Sequence, residues 1–404
     1  MTNSINRIII FFEIPFSRQL YSTWGIETLI KNNFHVEVWD FSSFLYGEFE
    51  HHEVLSVHHA KFKFYRFTNK SEIEDALSLL TRSDFVNCFI GFSYRTFFIY
   101  KILSKKNIDY SIPLFNPIPI LNNKKIKKPK KLMSIIKKII VLKKKTFFDH
   151  IVNKIIRNHY GVCGIKPATL CIAGGTASMD VNQFPVDETT HILWTHSIDY
   201  DIVLQNAGKN LSPYHGCAIF LDDFLPFHPD FAMINETAPI TPEVYYPKLC
   251  TFFSYLEYNF GVRIIIAAHP RSTYEKLPDY FEGRPIIRGE TAQVVKECSF
   301  VIVHASTSIN FAILYQKPII FLTMDAFNKN EGISRMGEII ENMASQLGKI
   351  PHNLDDPLSI DFDKEMEIQI NAYEAYKNKY IKKEGSQELE MWQILADYIK
   401  KKYL

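Results

Sequence analysis

The feature that most constrains this chain is a series of short, continuously apolar runs, each ending in a polar cluster. The clearest examples lie between residues 262 and 323. Arg263-Ile264-Ile265-Ile266-Ala267-Ala268 leads straight into His269-Pro270-Arg271-Ser272. Phe300-Val301-Ile302-Val303-His304-Ala305 leads into Ser306-Thr307-Ser308, then a helix-like stretch at 309–315 and a third apolar run at 318–323. Runs with no polar face belong to strands covered on both sides, as in a parallel α/β sheet. Such sheets bind ligands outside the carboxyl ends of their strands, and both polar clusters fall there.

The same alternation fills the rest of the chain. Strands are predicted at 7–13, 35–40, 61–67, 85–91, 110–114 and 169–173, with helices at 21–32, 72–81 and 96–105. A second series has strands at 217–221, 263–268, 285–287, 300–305 and 318–323, with helices at 242–260, 292–297 and 309–315. A chain of 404 residues is too long for one core. The expectation is therefore an α/β protein with two Rossmann-like domains facing a central cleft. The first spans 1–210 and carries an insertion at 121–160. The two join near 207–214, and the second domain spans 211–360. The charged tail, 361–404, reads as helical, packing either across the first domain or on the second.

Six scattered cysteines include no CxxC pair, which argues against a zinc site or a disulfide framework and fits a reducing cytoplasm. No signal peptide and no bilayer-length apolar run is apparent. The formal charge of +2 hides an asymmetry: residues 124–157 hold 13 Lys and Arg against one acid, Asp149. Apolar residues at 132, 135, 136, 139, 140, 148, 151, 152 and 155 recur near helical spacing. A basic amphipathic helix of this kind lies on an anionic membrane or packs its apolar face on its own domain. The first alternative places the protein at the inner face of the cytoplasmic membrane. Nucleic acid is disfavoured, because aromatics do not interleave the basic run and the rest of the chain is not basic.

Several side chains are positioned for chemistry. His269, beside Pro270, Arg271 and Ser272, could contact a phosphate or stabilise its departure, with Arg271 adding fixed charge. Three hydroxyls at Ser306, Thr307 and Ser308 exceed what a helix cap requires and point to a phosphate. Glu290 and Thr291 open a further helix and could hold a ribose or base edge, or only cap that helix. Asp222-Asp223 ends a strand; as neighbours they face opposite ways, so one at most enters the cleft. Glu13 ends the first strand, and Asp199 and Asp201 precede the linker. Each carboxylate alone is more often structural, but Glu13, Asp201 and Asp222 are the candidates for catalysis. Asp199-Tyr200-Asp201 spells a metal-binding DxD without its strand context, so no metal is expected. Gly174-Gly175-Thr176-Ala177-Ser178 reads as a weak phosphate turn or a plain loop, matching neither the dinucleotide nor the P-loop pattern.

The pairing of His269-Pro270 with Ser306-Thr307 resembles the donor domain of bacterial GT-B glycosyltransferases that transfer nonulosonic acids or Kdo to surface polysaccharides. The resemblance covers roughly 216–323. It implies a CMP-activated donor held by those motifs, a glycan acceptor in the first domain, no cofactor, and capsule or lipopolysaccharide synthesis. The acidic motif of those families finds its nearest match in Asp222-Asp223-Phe224, which lacks the family's glycine and lies closer to the His-Pro pair. Two rivals stand beside this reading. One is a nucleotide-sugar epimerase of the same architecture. The other is a non-catalytic polysaccharide-assembly protein, which would tolerate loss of the polar cleft.

Overall fold

The structure, a computed structural model, describes residues 4–47, 57–117, 119, 144–180, 183–206, 214–229, 231, 237–328 and 336–403. They form two compact units. Described residues 4–117, 144–198 and 383–403 belong to the first, and 119 with 199–382 to the second.

The first unit is built on β1 (Arg7–Phe12), β2 (His35–Asp40), β3 (Phe62–Arg66), β4 (Asp84–Phe89), β5 (Asp109–Leu114), β6 (Leu170–Ala173) and β7 (His191–Trp194). These pair in the order β3-β2-β1-β4-β5-β6-β7, every neighbour parallel. The strand order reverses between β1 and β4, where Phe12 stands in register with Phe89. Ile8 to Phe12 are fully buried because helices cover both faces of the sheet.

The second unit repeats the plan with β8 (Ala218–Leu221), β9 (Ile264–Ala267), β10 (Ile286–Ile287), β11 (Phe300–Val303), β12 (Ile319–Thr323) and β13 (His352–Asn353). The order is β10-β9-β8-β11-β12-β13, again all parallel, and the reversal falls between β8 and β11. Each sheet thus has the doubly wound order, and sheets of that order bind ligands in the crevice at the reversal. Between β8 and β9 runs the helix Pro242–Phe260, opened by a proline in its first turn and stopped by Gly261 in the left-handed conformation.

Three local results differ from expectation. The predicted helix 21–32 is two helices, Arg18–Thr23 and Ile26–Lys31, broken at Gly25 with φ of 66°. A side chain there would collide with Trp392, since a Cβ would lie 1.9 Å from its Cγ. The strands β7 and β13 were not anticipated; both are short sheet edges with mixed composition. The tail is shared between the units. Phe362 stacks on Phe260 of the second unit, whereas helix Met391–Tyr403 inserts Trp392 into the aromatic core of the first.

Of the basic run, 124–143 lies outside the described residues. Helix Lys144–Asn158 packs Ile156 against the core of the first unit, and Arg157 donates to the Phe92 carbonyl. Ile151 and Ile155, one turn apart, are exposed, as is Val162 beyond the helix. Among the described residues no helix is long and apolar enough to cross a membrane.

Candidate functional site

Three loops of the second unit meet at the carboxyl ends of β9, β8 and β11, on either side of the reversal. The chain leaves β8 at Leu221 and places Asp222 and Asp223 side by side, so their side chains diverge. Asp222 turns toward β9. Its Oδ1 accepts from the Phe224 N–H at 2.9 Å, an Asx turn that holds Phe224 at a φ of 51°. Its Oδ2 accepts from the Tyr274 hydroxyl at 2.9 Å and, at 3.5 Å, from the His269 N–H. The Tyr274 hydroxyl lies 3.1 Å from that of Tyr246, extending a buried chain. Burial pushes the Asp222 carboxyl up to about 6, and its hydrogen bonds oppose that rise. Asp222 therefore fixes the backbone from which His269 projects.

Asp223 turns the other way, toward β11. Its Oδ2 accepts from the Ala305 N–H at 3.2 Å, and the Ser306 hydroxyl is also bound to it. It keeps some exposure to solvent. Burial still raises its carboxyl to about 7; the Ala305 N–H opposes the rise, the neighbouring Asp222 charge adds to it, and Ser306 opposes it.

His269 is half-buried, and its Nδ1 accepts from the Arg271 N–H at 3.2 Å, which leaves the proton of the neutral ring on Nε2. Its ring meets that of His228 edge-on at 4.8 Å. Pro270 and the Arg271 side chain are exposed beside it, while Ser272 is buried and accepts from Arg288. On the β11 side, Ser306 and Ser308 are half-buried and Thr307 is exposed. Helix Ile309–Leu314 begins with backbone bonds alone, and Ser308 makes no side-chain capping bond to it. The Ser308 hydroxyl is thus not consumed by capping, whereas that of Ser306 is held by Asp223.

The remaining candidates scatter. Glu290 and Thr291 follow β10, two strands from β8 at the sheet edge; Glu290 is exposed and makes no side-chain cap bond. Asp201 is buried within helix Ile198–Gln205. Asp199, on the same helix, accepts from Asn310 Nδ2 at 2.8 Å, and burial lifts its carboxyl to about 6. Glu13 belongs to the first unit, where its Oε2 accepts from the Gly91 N–H at 2.8 Å and burial raises its carboxyl. The Gly174-Gly175 turn is tied by its own chain: the Gly174 N–H donates to Ser178 Oγ, and its carbonyl accepts from the Lys383 N–H. Among the described residues no group of three His, Cys, Asp or Glu side chains could hold a metal ion.

Tyr274, Tyr246 and His304 escaped the sequence reading. His304 is buried at the end of β11, with Nδ1 donating to the Leu322 carbonyl at 2.8 Å, and burial depresses it to about 4. The only sequence signal was a histidine inside an apolar run.

No protein-family model matches the sequence, and no curated protein does. Among solved structures, the wall teichoic acid polymerase TagF is similar over 99% of this chain and 90% of its own, at 12% identity and a TM-score of 0.52. A TagF variant soaked with CDPG is similar over 99% of this chain and 89% of its own, at 12% identity and a TM-score of 0.50. The fold is GT-B-like. UDP-GlcNAc 2-epimerase from Methanocaldococcus jannaschii matches over 98% of this chain and 99% of its own, at 13% identity and a TM-score of 0.49. At such identities the likeness is one of fold.

Proposed function

We propose that the protein is a glycosyltransferase of bacterial surface-glycan synthesis whose donor is a CMP-activated nonulosonic acid. The observation that carries this reading is the pairing, across the β8/β11 reversal, of an Asp222-anchored His269 loop with the hydroxyl cluster at 306–308, of which Ser308 makes no capping bond. His269, Pro270, Arg271, Ser306, Thr307 and Ser308 would hold the nucleotide, with Glu290 and Thr291 toward its ribose or base. In the transfer an acceptor oxygen bonds to the anomeric carbon, and the bond from that carbon to the phosphate oxygen breaks. CMP leaves with the electron pair, while a carboxylate accepts the hydroxyl proton in an inverting reaction. Glu13, Asp201 and Asp222 remain the candidates for that base, and the oxygens of Asp222 are already committed to three donors. Donors such as the His269 Nε2–H and the hydroxyls would stabilise the departing phosphate.

The TagF variant soaked with CDPG favours a second reading, a CDP-linked donor in the same loops. Thermal stabilisation by CMP, CDP, UDP, GDP and dTDP separates the two, because a ligand of the native state raises the melting temperature according to its concentration over its Kd. A shift with CMP alone supports the first reading, and a larger shift with CDP supports the second. A shift with only the other diphosphates sinks both, and no shift at all leaves a non-catalytic assembly protein. His269→Ala should weaken the favoured nucleotide by about tenfold, the loss of one charge-assisted hydrogen bond, with little change in stability.

The same reading puts residues 124–157 at an anionic membrane. Its support is the charge of the run together with exposed Ile151 and Ile155. Co-sedimentation with phosphatidylglycerol vesicles at low salt, lost at high salt, is expected; no binding would leave the helix as a solvated insertion.

A further inference from the structure

The first unit holds a cavity of which the sequence singled out only Glu13. Two adjoining hollows of about 270 and 240 Å³ open at the carboxyl ends of β1, β4 and β5, sharing Trp24, Phe89 and Pro113 as a common wall. Small-molecule sites usually measure about 300–1,000 Å³, so the pair together suits one ring with its substituents. Trp24 and Phe89 are half-buried and meet edge-on at 4.4 Å, while Phe12 braces Trp24 at 4.9 Å. The wall is therefore formed by rings already packed on one another without a ligand.

Its chemistry is selective. Among the described residues lining the two hollows taken together, Glu13, in the first, is the one charged group and there is no lysine or arginine. An anionic ligand would meet a carboxylate and no counter-charge. A hydrocarbon chain would suit the aromatic walls but would dehydrate Glu13 without offering it a donor, which is costly. A pyranose ring answers both demands: its C–H face lies on the negative faces of aromatic rings, and its hydroxyls donate to a carboxylate at the rim. Glu13 can accept such a bond, because the Gly91 N–H engages only Oε2. We propose that this cavity is the subsite for a neutral pyranose ring of the acceptor, seated in the corner between Trp24 and Phe89 with its C–H face on one ring and a hydroxyl donated to Glu13 Oε1. The word acceptor rests on the glycosyltransferase reading; the sugar-binding chemistry does not.

Saturation-transfer NMR on the full chain tests it, with the methyl β-glycosides of galactose, glucose and N-acetylglucosamine as probes. At least one should receive transfer at its ring protons. Its affinity should fall about tenfold in Glu13→Gln, a near-isosteric change that keeps an acceptor for Gly91, and as far in Trp24→Leu. Because Trp24 packs in the core, Glu13→Gln decides the matter if the other variant unfolds. The proposal is overturned if no glycoside binds or if both variants bind it unchanged. Displacement of the glycoside by CMP, or transfer confined to the chain of octyl glucoside, also overturns it. The CMP melting shift, recorded on the same samples, keeps the two readings apart. An intact shift without glycoside binding sinks the cavity alone, and glycoside binding without any shift sinks the donor reading alone.

Discussion

The carboxyl ends of β1 and β8 occupy equivalent places in their sheets, and each supplies a carboxylate that crosses the strand reversal. Glu13 reaches the N–H of Gly91, two residues past β4, and Asp223 reaches the N–H of Ala305, two residues past β11. The backbone solution is shared, but the surroundings are not. Around Glu13 stand Trp24, Phe89 and Phe184, and around Asp223 stand a second carboxylate and a serine. A doubly wound sheet fixes where its crevice is, and the side chains at that crevice fix what it takes. One crevice offers aromatic faces and the other offers hydroxyls with a histidine loop.

The largest expected effect tests whether the second crevice is the more deeply built. Asp222→Ala leaves the Phe224 N–H and one proton of the Tyr274–Tyr246 hydroxyl pair without an acceptor in a buried setting, and frees the His269 loop. Unsatisfied buried donors cost about 1–3 kcal/mol each, so a loss of about 3 kcal/mol in urea unfolding is expected, with nucleotide binding lost as well. Glu13→Ala removes one acceptor from a single, partly open N–H and should cost about 1 kcal/mol. Equal costs at the two positions would erase the contrast.

What the sequence could reveal follows from how local each feature is. The runs at 263–268 and 300–305 announced β9 and β11 because both faces of each strand are apolar. Edge strands such as His191–Trp194 carry no such signature, and the two residues of β13 are too few for any period. That Asp222 and Asp223 diverge follows from strand geometry. That Asp222 is the structural one depends on Tyr274, which lies 52 residues on and is brought back by the fold. The aromatic cavity was illegible for the same reason, since positions 12, 24, 89, 113 and 184 share no pattern along the chain. Gly25 could be read as a glycine, but its need comes from Trp392 in the distant tail.

A smaller effect should appear in the pH dependence of stability. Asp223 titrates near 3.9 when unfolded and at about 7 when folded, so between those values the folded chain holds the extra proton. Stability then falls as pH rises through that window. Asp223→Asn keeps an acceptor for the Ala305 N–H and removes the ionisation. Its unfolding free energy should fall less steeply between pH 4 and 7 and exceed that of the parent by about 1–2 kcal/mol at pH 8, a figure reduced because the group is partly open to water. Asp222 and Asp199, both raised to about 6, retain part of the slope. An unchanged slope would mean that Asp223 stays ionised throughout and that its likeness to Glu13 ends with the backbone.

The smallest expected effect on stability is at Gly91. Its φ lies outside the left-handed region, and an added Cβ would meet only Glu13 Oε2, at 3.4 Å, an ordinary contact. Gly91→Ala keeps the N–H that Glu13 accepts, so its unfolding free energy should change by less than about 0.5 kcal/mol. The new methyl group would nevertheless stand at the rim of the aromatic cavity, which Gly91 lines. Glycoside binding should therefore weaken several-fold while the CMP melting shift stays as it was. A stability loss above about 1 kcal/mol would show that Glu13 and Gly91 form a structural lock like that of Asp222, because only a tightly packed junction resists one methyl group.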